Sequence, residues 1–117
     1  MQIGRYDFGH SKSGELVEQI VIGAGDLKAC VLTWGAIVQD LRHVAWSHPL
    51  VLGLQSVEDY ENHSPFFGAT VGRVANRVKG ANFELDGTSY QLDANDGRNS
   101  LHGGLASFGK RNWIVEA

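Results

Sequence analysis

Apolar residues fall in short runs separated by glycines and polar clusters, a spacing that predicts many short strands and few helices. Residues 16–22 read as a first strand, followed by a turn at Gly23-Ala24-Gly25-Asp26. Residues 27–34 read as a second strand and 36–44 as a third, with Gly35 between them as a bulge. Ser56 with Asp59 three residues later forms a capping box and predicts one helical turn through Tyr60. Residues 68–78 carry small and β-branched side chains around two glycines and read as strand and loop. In a strand, Arg73 and Arg77 would share one face, and Val74 and Asn76 the other.

The sharpest local signal is Asp86-Gly87, a two-residue hairpin turn of type I′. Closing there pairs Leu85 with Thr88, Glu84 with Ser89 and Phe83 with Tyr90. Phe83, Leu85, Thr88, Tyr90 and Leu92 then share a face, so pattern and turn agree on register. A polar loop over 93–100 follows, and 113–115 read as the start of a further strand. The fold class expected is mostly β and antiparallel, within one domain over 1–117.

Composition narrows the function classes. Of 117 residues, 43% are apolar and 20% charged, as in a soluble globular protein. The net charge of −3 and scattered basic residues argue against nucleic acid as the partner. No apolar run is long enough for a membrane helix, and residues 1–15 lack a secretory signal. The lone Cys30 sits in an apolar run, where it reads as a small buried hydrophobe. Cytoplasm is the expected compartment.

Two segments carry candidate chemistry. In Asn99-Ser100-Leu101-His102-Gly103-Gly104, two glycines leave the imidazole unobstructed and let a ligand approach the backbone. A neutral imidazole offers one donor and one acceptor, which suits sugar oxygens; alternatively His102 is a turn residue bonded to a nearby carbonyl. Asn76-Arg77 supplies several donors suited to a polyhydroxy ligand, or forms a solvated charged edge. Other chemistries find less support. Residues 104–110 match a phosphate-binding loop except that Arg111 replaces the required hydroxyl. No histidines or cysteines have metal-ligand spacing, and residues 93–97 fit a calcium loop poorly. No Gly-x-Ser-x-Gly hydrolase motif occurs.

Taken in order, these segments resemble the aldose 1-epimerase (galactose mutarotase) family. The matching residues are Phe66-Phe67-Gly68 leading to Gly72-Arg73-Val74-Ala75-Asn76-Arg77-Val78, then Phe83-Glu84-Leu85-Asp86-Gly87 with Tyr90-Gln91-Leu92, then Asn99 to Gly104, and Trp113. Thr33-Trp34-Gly35-Ala36 and Val51-Leu52-Gly53-Leu54 also fit. Residues 106–108 and 45–48 depart from the pattern.

The resemblance implies an antiparallel β-sandwich, of which 1–117 are the N-terminal part. It implies interconversion of α and β anomers of free hexoses such as galactose and glucose, by acid–base ring opening without metal or cofactor. Asn76, Arg77 and His102 fall on sugar-holding positions, and His102 also helps orient the ring oxygen, which makes it the candidate catalytic residue. Arg73 is expected to be structural. The family's general acid, a later histidine, and its general base, a glutamate, are expected beyond Ala117. The alternatives are a non-catalytic β-domain that binds carbohydrate or a partner, and a relative acting on hexose phosphates.

Overall fold

The computed structural model describes residues 1–64 and 66–116. A four-stranded antiparallel sheet forms the larger part, in the order β1 (Gln2–His10), β2 (Leu16–Ala24), β3 (Leu27–Leu32) and β4 (Ile37–His43). The helix α1 (Val57–Asn62) follows. Two small two-stranded sheets complete the described structure: β5 (Arg77–Val78) with β8 (Ser100–Leu101), and β6 (Asn82–Leu85) with β7 (Thr88–Gln91). No helix among the described residues is long and apolar enough to cross a membrane.

The expected strands are present with shifted limits. The β2–β3 turn is tighter than expected, because Ala24 still pairs with Leu27 and only Gly25-Asp26 turn. Strand β3 ends at Leu32 rather than residue 34. Thr33 still donates its N–H to the Glu18 carbonyl, but the Glu18 N–H goes to the Thr33 hydroxyl instead of its carbonyl. Gly35 is not a bulge: it sits at φ 67° in the turn that reverses the chain into β4. A Cβ there would meet the Gly109 carbonyl oxygen at 2.5 Å, so glycine is needed for close approach as well as for the turn. The irregularity in this pair of strands lies at Cys30/Val31 instead.

Strand β1 has no counterpart among the expected elements. Its ladder with β2 shifts register between Asp7 and Gly9, which breaks the alternation that would have marked it. The chelate between Arg5 and Glu18, with both contacts at 2.6 Å, ties the two strands together. Residues 113–115 also form no strand. Asn112 makes an isolated bridge to Trp34, and the Trp113 N–H donates to the Thr33 carbonyl.

One face of the large sheet carries the core. Leu32 and Ile37 pair directly, and Val17, Val57 and Tyr60 close over them. The expected N-cap forms, with the Ser56 hydroxyl accepting from the Asp59 N–H, but the Asp59 carboxylate accepts the Ser56 hydroxyl rather than its backbone N–H. A six-residue helix is too short to persist alone, so α1 depends on burying Val57 and Tyr60. Tyr60 also accepts the Leu54 N–H on its hydroxyl, and the buried Gln39 donates to the Leu54 carbonyl. These two bonds bring the loop over the sheet edge. Cys30 is buried; loss of water contact and the nearby Asp40 push its thiol pKa up.

Candidate functional site

The site is built on the short β5–β8 ladder, in which Arg77 pairs with Leu101 and Val78 with Ser100. Asn76 precedes one strand and His102 follows the other, so the pairing sets them opposite each other. The His102 N–H donates to the Asn76 carbonyl, and the His102 Nδ1 accepts the Asn76 N–H, both at 3.0 Å. Among the described residues, the His102 ring bonds the Asn76 N–H and no neighbouring carbonyl. With Nδ1 accepting, the proton of the neutral imidazole belongs on Nε2, which becomes a donor. The Phe66 ring meets the imidazole edge-on at 4.8 Å and limits its rotation.

Both residues have left-handed backbones, with φ 60° at Asn76 and 50° at His102. Asparagine and histidine both enter this region more readily than most side chains. Glycine packing beside His102 holds its backbone in place. A Cβ on Gly103 would lie 1.7 Å from the Gly72 carbonyl oxygen, and one on Gly72 would strike the Phe108 ring. Gly103 thus lets the two segments pack backbone against backbone, while Gly72 makes room for the Phe108 ring.

Arg73 and Arg77 do not share a strand face, because only Arg77-Val78 are extended and paired. Arg73 lies over the Phe108 ring at 5.6 Å, a packing role. Arg77 is exposed, and its Nε donates to the Asp96 carboxylate at 2.6 Å. The polar loop holds more of the site than its composition suggested. The Asn95 side chain accepts from the Leu101 N–H and donates to its carbonyl, and Asn99 accepts the Gly80 N–H. Phe66 and Asn99 lie in segments that the sequence singles out but have no role of their own there, and Asn95 and Asp96 figure only within a poor calcium loop. The cluster of Asn, Asp and Gly marked a turn, and nothing local marked its partners.

Gly72 and Gly103 also line a cavity of about 260 Å³, together with Arg73, Ser100, Phe108 and Arg111. A larger concavity, about 810 Å³, lies at the other end of the large sheet among Tyr6, Lys28, Arg42 and Trp46, and holds none of the expected site residues. Size alone therefore does not locate the chemistry. Asn76, Arg77 and His102 line neither concavity; they are neighbours on the β5–β8 ladder, where Asn76 and His102 bond each other.

The family model described as aldose 1-epimerase matches residues 18–117, a stretch that includes Asn76, Arg77 and His102. The chain belongs to the aldose 1-epimerase family. It is 37% identical to a galactose mutarotase of Sus scrofa, over 97% of this chain and 34% of the relative. It is 31% identical to a maltose epimerase of Levilactobacillus brevis, over 97% of this chain and 34% of that protein. The crystal structure of a galactose 1-epimerase from Lactobacillus acidophilus NCFM superposes with a TM-score of 0.79 at 24% identity, covering 100% of this chain and 36% of that one. The mostly β, antiparallel fold is thus the fold of that structure. The chain spans about a third of the length of the curated relatives it matches.

Proposed function

We propose that residues 1–117 form the N-terminal, hexose-holding part of an aldose 1-epimerase sandwich that interconverts the α and β anomers of galactose or glucose. The observation that carries this reading is the reciprocal Asn76–His102 link. It uses the two backbones and Nδ1 for structure, and among the described residues the Asn76 side-chain amide and the His102 Nε2 have no partner, which suits them to a ligand. The terminal nitrogens of Arg77 add donors for ring hydroxyls. A donor at Nε2 suits an oxygen that gains charge, and ring opening makes the ring oxygen such an atom.

In that reaction a base removes the proton of the C1 hydroxyl while an acid protonates the ring oxygen. The C1–O5 bond breaks to give an aldehyde, which rotates and closes on either face. We assign His102 to holding and orienting the ring oxygen, and the acid and base to groups outside these 117 residues. The compartment we propose is the cytoplasm, a reading supported by the single, buried, free thiol.

Polarimetry of α-glucose at low buffer concentration tests the assignment. The chain alone is expected to add nothing measurable to the buffer rate. A clear rate that His102→Ala abolishes would show that the proton-transfer pair lies within the chain. One observation favours hexose phosphates as a second reading: Arg73 and Arg111 line the neighbouring cavity. Tighter binding of glucose 6-phosphate than of glucose would select it.

A further inference from the structure

Asp96 stands outside every role assigned so far, yet it makes the closest polar contact in the site. We propose that Asp96 is a positioning residue that holds the Arg77 guanidinium by its Nε and presents the terminal nitrogens to a hexose. The inference rests on reading Arg77 as a sugar contact.

The geometry of the pair differs from an ordinary surface bridge. Arg5 chelates Glu18 through Nε and one terminal nitrogen, which occupies one edge of its guanidinium. Among the described residues Arg77 meets Asp96 through Nε alone, and its terminal nitrogens make no other bond there. Isolated surface pairs contribute little, because two long side chains must be ordered to make them. Here the side chains are exposed, but the backbones that carry them are fixed on both sides. The Arg77 backbone is held by its pairing with Leu101. The Asp96 backbone exchanges hydrogen bonds with Asn99 in both directions, at 3.1 and 3.0 Å.

The loop is in turn clipped to the strands of the site. Asn95 bonds both backbone groups of Leu101, the residue before His102. Asn99 accepts from Gly80, shortly after Arg77. Asp96 is therefore fixed in the same frame as Asn76, Arg77 and His102. An exposed arginine left to itself surrenders rotamer freedom when it binds a ligand, and a clamp made beforehand removes that cost.

Galactose titrated into the isotope-labelled 117-residue chain, followed by nuclear magnetic resonance, tests this. Asp96→Asn is expected to weaken binding about three- to ten-fold, the factor expected for one side chain that must be ordered on binding. The Arg77 Nε–H signal should lose its shifted, protected position while the Asn76 and His102 amide signals stay in place. Asp96→Glu should recover most of the affinity, and Asp96→Asn should add nothing in an Arg77→Ala background.

Wild-type affinity in Asp96→Asn, with weakened binding in Arg77→Ala, would overturn this inference and leave the sugar reading intact. So would an Asp96→Glu chain that restores the Arg77 signal but not the affinity. Unchanged binding in Arg77→Ala, or no saturable binding by the wild-type chain, would overturn the sugar reading and this inference with it.

Discussion

Gly103 decides whether His102 can face Asn76. Its φ of 92° is open to glycine and strained for any other residue, and its missing side chain is where the Gly72 carbonyl lies. Gly103→Ala combines backbone strain with a clash that neither backbone can relieve by a rotamer change. We expect a loss of at least about 3 kcal/mol in chemical denaturation, with the His102 amide losing protection from exchange. Gly97 makes the control: its φ is 62°, but a Cβ there meets nothing, so Gly97→Ala should cost only about 1 kcal/mol. The candidate status of His102, and of Asn76 and Arg77, was readable from residue type and neighbours. That Nδ1 is occupied by Asn76, and Nε by Asp96, was not, because both contacts cross from one strand or loop to another.

Among the elements, the β6–β7 hairpin matches its expected register at every pair. Its turn is two residues long, with φ 50° at Asp86 and 74° at Gly87, so local conformation alone determines which side chains meet. Phe83 and Tyr90 stack at 5.0 Å as that register requires. Gly87→Ala leaves space for the methyl group but strains the turn. It should raise hairpin amide exchange by the equivalent of about 1 kcal/mol without moving the Asn76 or His102 signals. Strand β1 is the contrary case. Its bulge between Asp7 and Gly9 shifts the alternation part-way, and only β2 as a partner makes it a strand. The β5–β8 ladder is two residues on each side and carries no periodic signal at all.

The whole molecule is elongated, with a radius of gyration of 16.5 Å, where a compact chain of this length would have about 13 Å. Its small core places unusual weight on Tyr60, which joins α1 to the large sheet. Burial pushes the Tyr60 pKa above its ordinary value, so the native state holds that proton more tightly than the unfolded chain. This contribution is complete below about pH 10 and is lost as pH rises further. The hydrogen bonds from Arg5 hold the Glu18 carboxyl below its ordinary value, so its contribution is present above about pH 4 to 5 and is lost as pH falls through the lowered value. Thermal melts across pH are expected to show a plateau with a fall on each side. Tyr60→Phe should remove the alkaline titration, and Arg5→Met should flatten the acid side.

The family was legible, by resemblance, in the motifs from residue 72 to 104, each a short stretch of contiguous residues. The hairpin and the helix cap were legible for the same reason: their partners lie within a few residues. The joining of Asn76 to His102 and of Arg77 to Asp96 spans 26 and 19 residues. Only the folded backbone, pressed together at Gly72 and Gly103, brings those groups within hydrogen-bonding distance.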